Sequence, residues 1–368
     1  MIQKLGIAVC AVLLVLSTSM VPPAKAEEEK VLNIYFWFEY LPDSIVKSFE
    51  KETGIKVVLD VFESLDVMET KLLAGNSGYD IVIPDNVMAG RLLKLGIFKK
   101  LDKSKFSNLG NLDPVILARL AKVDEGNNYG LPYMWGTTGI CFNDAMVRER
   151  LPNADLRSLD LIFKPENISK LSDCGVAILD AWAEVIPIAL NYLGLDPATT
   201  KKADLEKAEK LFMSIRPYIR HFNTGAIVEE LAVGELCAAI TYNGDGGFAS
   251  ARAEELKNGN FIDYSIPKEG TITYFDFLAI PADAKHPENA HKFFDFLMRA
   301  DEIAKVSNEI WFANGNAASL AYIDDAIKED PDIFPPPEVK AKLFPIVNLS
   351  NKDKRNYTRM WTKVKAGK

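Results

Sequence analysis

Two hydrophobic periods alternate along the first hundred residues after the amino-terminal segment. The stretch Asn33 to Ser44 begins as a β-type run and ends in a helix start, and Ile55 to Phe62 is a β-branched run that predicts a buried strand. Tyr79 to Asp85 is a short buried strand ending in Pro84 and a carboxylate. Between them the period changes to that of helices. Asp43 or Ser44 is expected to cap a helix with Ile45, Val46 and Phe49 on one face and Gly54 at its end. Leu65 to Ala74 is a second helix, stopped by Gly75-Asn-Ser-Gly78, and Val87 to Leu95 a third, closed by Gly96. Strands alternating with helices of this length predict βαβ units and a mainly parallel sheet.

Farther along, Tyr129 to Asn143 reads as extended chain, either a segment crossing between two lobes or an ordinary hairpin. Ser172 to Asp180 is a buried strand, and Asp180 is expected to cap a helix over about 181–193. Glu184 lies in that helix's first turn, where a carboxylate also offsets the helix dipole by up to ~1 kcal/mol. Amphipathic helices follow at Leu205–Arg216 and Ala226–Val233, then a strand from Glu235 to Tyr242 that ends in Asn243-Gly-Asp-Gly-Gly247. Tyr264 to Gly270 is a strand and turn, and Thr271 to Pro281 is strand-like. From Glu288 onward the pattern is helical, broken at Pro335-Pro-Pro337 and ending in a basic tail.

Composition adds bounds. A chain of 368 residues has room for two domains with full cores, and 48% hydrophobic with 26% charged residues is ordinary for a globular protein. Residues 1–26 stand apart, with Lys4, an apolar run from Leu5 to Leu16, and Ala24-Lys25-Ala26, the layout of a cleaved secretory signal. The apolar run is shorter than the ~20 residues a membrane span needs. Cleavage would remove two lysines and leave 41 basic against 51 acidic residues, a net of −10. That balance argues against nucleic acid as a partner and suits a cationic ligand. Cys141, Cys174 and Cys237 remain after cleavage, an odd count that in an exported protein allows one disulfide and one thiol. Cys141 falls in an apolar run and reads as core, while Cys174 and Cys237 each precede a strand-like run; the pairing stays open. His221, His286 and His291 have no metal-ligand spacing, and no nucleotide or hydrolase motif occurs, so neither a metal nor a cofactor is expected.

Candidate chemistry concentrates in Asn33–Ser44. An indole (Trp37), a carboxylate (Glu39) and a phenol (Tyr40) follow a strand, where open α/β sheets bind ligands. Aromatic faces beside an acid suit an organic cation. Asp85 also lies just past a strand end. Asp276 sits in the middle of a strand-like run, where a carboxylate is costly without a partner that a bound cation would supply.

These residues resemble the periplasmic polyamine-binding proteins of ABC transporters, most closely the putrescine-binding type, over essentially the whole mature length. The stretches that carry the resemblance are Phe49-Glu-Lys-Glu-Thr-Gly-Ile-Lys-Val-Val58, Lys71-Leu-Leu-Ala-Gly75, Leu131-Pro-Tyr-Met-Trp-Gly-Thr-Thr-Gly-Ile140, Asn191-Tyr-Leu-Gly194, Ser265-Ile-Pro-Lys-Glu-Gly270, Ile280-Pro-Ala-Asp-Ala-Lys285 and Trp361-Thr-Lys-Val-Lys365, in collinear order. The resemblance implies an α/β protein of the two-lobed periplasmic binding fold, type II, each lobe a mainly parallel sheet flanked by helices. The expected division is 27–137 with about 250–300 for one lobe, and 138–249 with about 301–368 for the other.

By position, the resemblance implies an aromatic wall of Trp37 and Tyr40, an acid at Glu39, amine-binding carboxylates at Glu184, Asp245 and Asp276, and rings at Tyr242, Tyr274 and Phe312 flanking a polymethylene chain. It also implies a Cys174–Cys237 disulfide. Phe38, Asp85, Tyr242 and Phe312 depart from the family's residues, and Trp182 falls in the helix start before Glu184. Phe38 and Trp182 are expected to shorten the channel. Five acids outnumber a diamine's charges, which inclines the reading to a triamine if Asp85 is inside and to a diamine if it is solvated at the rim. The expected partners are a polyamine and an inner-membrane permease, for a monomer in the periplasm. Sensing through a membrane receptor and a carboxylate-based enzyme are the alternatives.

Overall fold

The computed structural model describes residues 28–62, 64–346 and 349–367, so the expected signal segment lies outside the described residues. Strand Val31–Trp37 lies between Lys56–Phe62 and Ile81–Val82 and is parallel to both. Helices Asp43–Thr53 and Leu65–Ala74 make the two crossovers, as the alternating periods predict. Pro42, not Asp43 or Ser44, occupies the cap position of the first helix, and Asp43 is in its first turn. Gly54 ends that helix at φ 67, a left-handed conformation that glycine adopts without a Cβ penalty.

The sheet continues through Ile272–Ala279 to a fourteen-residue strand, Gly130–Asn143. That strand is the crossing segment expected from its sequence, and no hairpin forms there. Gly130–Pro132 and Trp135–Thr137 pair antiparallel with residues 273–279, with a register shift between the two stretches. Thr138–Phe142 instead pair with Ala238–Tyr242, and Ile140–Asn143 with Ile262–Ser265. Beyond Ala238–Tyr242 come Val176–Ile178 and His221–Phe222, both parallel additions. One strand therefore serves two sheets, and all fourteen of its residues are buried. A strand covered on both faces has no solvent side to alternate toward, which explains its unbroken burial.

The later strands divide between the two halves of the long strand. Residues 262–265 join the second sheet through Ile140–Asn143, whereas Ala313–Asn314 pair with Trp135 and Met134 on the first. Helix Ala300–Ile310 packs against Asp43–Thr53, and Pro287–Leu297 against Val31–Trp37. The closing helix Asn351–Ala366 returns to the second lobe, on Trp182–Tyr192 and Lys202–Ile215. Hydrophobic periodicity locates strands but does not name their partners.

Two further expectations change. Asn243–Gly247 is not the end of the preceding strand but the opening of helix Asn243–Leu256. Asp180 does not cap the following helix, whose cap position is Ala181. Its carboxylate accepts instead from Trp361 Nε1 at 2.6 Å and pairs with Lys365 at 2.7 Å, which docks the final helix.

Each lobe has an aromatic centre. Phe49 meets Phe293 and Phe296 edge-on at 5.0 and 5.5 Å in the first, and Phe212 meets Phe163 and Trp361 at 5.9 and 5.6 Å in the second. Cys174 and Cys237 are bonded, 63 residues apart, and join the starts of the neighbouring strands Val176–Ile178 and Ala238–Tyr242. Cys141 is free and buried. Closing a loop of this length restricts the unfolded chain by about 4 kcal/mol in the entropic account. Alkylation of the unreduced, denatured protein lacking residues 1–26 is expected to label Cys141 alone. A Cys174→Ala/Cys237→Ala variant is expected to lose about 2–4 kcal/mol of denaturant stability, and a loss below about 0.5 kcal/mol would contradict this.

Candidate functional site

The first strand ends at Trp37, and the chain then turns, Tyr40 N–H donating to the Trp37 carbonyl at 3.4 Å. Glu39 takes φ 54 in this turn. The turn separates four neighbouring side chains into two kinds. Phe38 and Glu39 are exposed, while Trp37 packs its indole on Phe62 at 4.4 Å and Tyr40 is buried. Tyr133, on the crossing strand, donates to the Tyr40 carbonyl at 2.6 Å and holds the turn against the sheet.

Tyr40 donates its hydroxyl to Asp276 at 2.5 Å. Asp276 is 5% exposed on the second crossing strand, Ile272–Ala279, and forms a β-bridge with Asp85. Burial is the main cause that lifts Asp276 to about 8, with Asp85 and Glu184 adding repulsion. From the second lobe, Glu184 accepts from Thr138 Oγ1 at 2.5 Å and from the Tyr242 hydroxyl at 3.0 Å. Burial raises it to about 7, despite those two bonds. Asp245 accepts from the Thr241 hydroxyl and, at 3.4 Å, from the Tyr242 amide, and burial raises it to about 6.

Glu184, Asp245 and Asp276 thus accept from hydroxyls and an amide only; none of the three has a cationic partner among the described residues. A buried carboxylate without a counter-charge costs several kcal/mol, and raising its pKa is the response a protein has available. The arrangement is therefore suited to receiving cations. Among the described residues no three His, Cys, Asp or Glu side chains converge as metal ligands, so the acids do not surround a single point.

Asp85 differs from the other three. It caps helix Asn86–Lys94, accepting from the Met88 amide at 2.5 Å, and so part of its charge is already stabilised by the helix start. Burial raises its pKa, while the Met88 bond and Arg91 lower it.

Rings line the same region. Tyr242 and Tyr274 meet edge-on at 5.4 Å, and Tyr40 meets Phe312 at 5.3 Å and Tyr133 at 5.4 Å. Burial, first among the causes, raises the phenols of Tyr40, Tyr242 and Tyr274 far above their ordinary value, so they serve as neutral donors and walls. The structure therefore brings together Tyr40, Asp85, Glu184, Tyr242, Asp245, Tyr274, Asp276 and Phe312, with Trp37 half-buried beside them and Phe38 and Glu39 exposed on the turn. The Trp182 indole meets Tyr357 of the final helix edge-on at 6.1 Å.

Sequence reading missed three supporting residues: Tyr133, Thr138 and Asn243. Asn243 Oδ1 accepts from the Thr137 amide at 3.1 Å and the Tyr274 hydroxyl at 3.2 Å. The available signal was Thr137-Thr138 inside an otherwise apolar buried run, since buried hydroxyls require partners.

Comparison with known proteins agrees with this geometry. Residues 44–335 match the family described as bacterial extracellular solute-binding protein. The chain is 45% identical to the putrescine-binding periplasmic protein SpuD of Pseudomonas aeruginosa, covering 100% of both chains. It is 47% identical to the putrescine-binding periplasmic protein PotF of Escherichia coli, covering 93% of each. Among solved structures, the substrate-binding protein PotD from Streptococcus pneumoniae superposes with a TM-score of 0.78 at 24% identity, over 92% of this chain and 99% of that one. The architecture, with one long strand paired to a different set of strands in each half, is that of the type II periplasmic solute-binding fold. With the match spanning most of its length, the chain belongs to the bacterial extracellular solute-binding proteins.

Proposed function

We propose that this protein captures a polyamine of the diamine class, putrescine above all, between its two lobes and delivers it to the inner-membrane permease of an ABC transporter. It works in the periplasm as a monomer and as a binding protein, not an enzyme. The observation that carries the reading is the set Glu184, Asp245 and Asp276: the first and last buried, Asp245 half-buried, all three without cationic partners among the described residues and bordered by aromatic rings. The names of the relatives at 45% and 47% identity point to the same ligand class.

Each ammonium group of a diamine would meet a carboxylate and phenol oxygens, and the methylenes between them would lie against ring faces. The acids come from different parts of the chain: Glu184 and Asp245 from helices of the second lobe, Asp276 and Asp85 from the second crossing strand and the helix start beside it. A ligand bridging both sets interacts with both lobes only when they are together, and this differential affinity favours closure. The reading also includes a lobe division of 28–137 with about 274–323, against 138–272 with about 327–367. Asp85 already caps its helix, so its charge needs a third ammonium less than Glu184 and Asp276 need theirs. That favours two charges over three and replaces the triamine expected from counting acids.

Calorimetric titration tests the ligand class. Putrescine is expected to bind more tightly than spermidine, and Asp85→Ser to leave the ratio of the two affinities within about threefold, about 0.7 kcal/mol. A serine variant that reverses the preference would return Asp85 to the ligand set. Asp276→Asn and Glu184→Gln are each expected to weaken putrescine binding by more than about a hundredfold, from roughly 3–5 kcal/mol for breaking a buried ion pair. Near wild-type affinity in either variant removes that residue from the site.

The raised acids also fix the sign of a pH dependence. With Asp276 at about 8 and Glu184 at about 7, the ligand-free protein holds protons at pH 7 that unfolded carboxylates release. Its stability is therefore expected to fall as pH rises from about 5 to 8. Bound ammonium groups favour the ionised acids, so binding is expected to release protons near pH 7, and affinity to rise between pH 6 and 8. Titrations in buffers of different ionisation enthalpy measure the released protons; zero release at pH 7 would contradict the shifts.

A further inference from the structure

Three glycines stand in the first turns of helix Asn243–Leu256, at 244, 246 and 247. Glycine inside a helix is destabilising relative to alanine, and none of the three has a positive φ, so backbone conformation does not call for them. Space does. A Cβ on Gly246 would lie 2.9 Å from Tyr264 Cβ and 3.2 Å from the Cys141 sulfur, within its own lobe. The other two face the opposite lobe. A Cβ on Gly244 would collide with the Phe312 ring, and one on Gly247 would stand 3.0 Å from Trp311 Cβ and Cγ.

Trp311 and Phe312 follow helix Ala300–Ile310, which packs with the first lobe. Trp311 caps that helix at φ 59, an unfavourable conformation for a bulky side chain, and the strained residue stands at this contact. The contact is also close to where the crossing strand changes sheets. Ala313, next to Phe312, pairs with Trp135, and Tyr242, just before the glycines, pairs with Thr138. Asn243, 4% exposed, bonds to the Thr137 amide between those two pairs.

We propose that Gly244 and Gly247, seated on Phe312 and Trp311, set how closely the two walls of the cleft approach, and so act as positioning residues for ligand capture. The inference rests on the function proposed above in that capture needs both walls. The same helix turn carries Asp245, so the depth to which Phe312 and Trp311 enter the glycine surface fixes the distance of that carboxylate from the first lobe's acids. A methyl group at 247 would act as a wedge between the lobes. It would reduce the fraction of molecules able to close, and apparent affinity falls by that fraction.

A role confined to the helix predicts the opposite sign, because alanine strengthens a helix that glycine weakens. The test is Gly247→Ala, examined by small-angle scattering with and without putrescine, by calorimetric titration, and by thermal unfolding of the ligand-free protein. The expected result is a larger radius of gyration, affinity weakened by about tenfold, and a ligand-free unfolding midpoint that is unchanged or higher. Adding Trp311→Ala to remove the obstructed ring is expected to restore affinity to within about threefold of Trp311→Ala alone. Wild-type affinity and scattering in Gly247→Ala, or losses that simply add in the double variant, overturn the proposal. If the wild type does not bind putrescine, the ligand reading fails separately. Ligand-free scattering then decides the hinge: an enlarged Gly247→Ala particle supports the inference and an unchanged one overturns it.

Discussion

Everything in this molecule depends on one strand satisfying two sheets. Gly130–Asn143 gives its first half to residues 273–279 and 313–314, and its second half to 238–242 and 262–265. Each of its backbone polar groups is buried and needs a partner, and the change of partner at Thr137–Thr138 is what divides the protein into lobes. The supporting bonds gather at that change. Asn243 holds the Thr137 amide, Thr138 holds Glu184, and Thr271 and Thr273 donate to the carbonyls of Thr138 and Gly136. The same few residues therefore carry the connection between lobes and the orientation of an acid in the cleft.

That economy explains why the acids tolerate burial. A single carboxylate in an apolar core would be expelled or neutralised, and neutral hydroxyl donors recover only part of the lost hydration. Here aromatic clusters around Phe49 and Phe212 supply apolar packing to either side of the charged cleft. The unfavourable electrostatics are confined to the boundary between them, where a ligand can relieve them.

Much of this was legible in the sequence. Local periodicity places the βαβ units around Val31–Phe62, and the isolated carboxylate in an apolar run marks Asp276. The disulfide and the wider set of candidate acids came from resemblance, and the structure forms that disulfide. Long-range pairing was not legible. Nothing local distinguishes a strand that joins the first sheet, such as 313–314, from one that joins the second, such as 262–265. Side-chain direction was lost for the same reason: Trp182 lies two residues before Glu184, yet its ring packs on Tyr357 while the acid meets Thr138. The glycine run reads as the end of a strand because glycine disfavours helix interiors, and only its close neighbours show why a helix keeps them.

The interleaving of the two lobes along the chain has a consequence for how the protein comes into being. Val31–Trp37 is a central strand of the first lobe, but that sheet is completed only by residues 272–279 and 313–314, after the second lobe has been traversed. The opening strand must therefore wait, extended and apolar, until most of the chain is available. High contact order of this kind slows folding. A first sheet that closes only late leaves its apolar opening strand exposed for longer while the rest of the chain arranges itself.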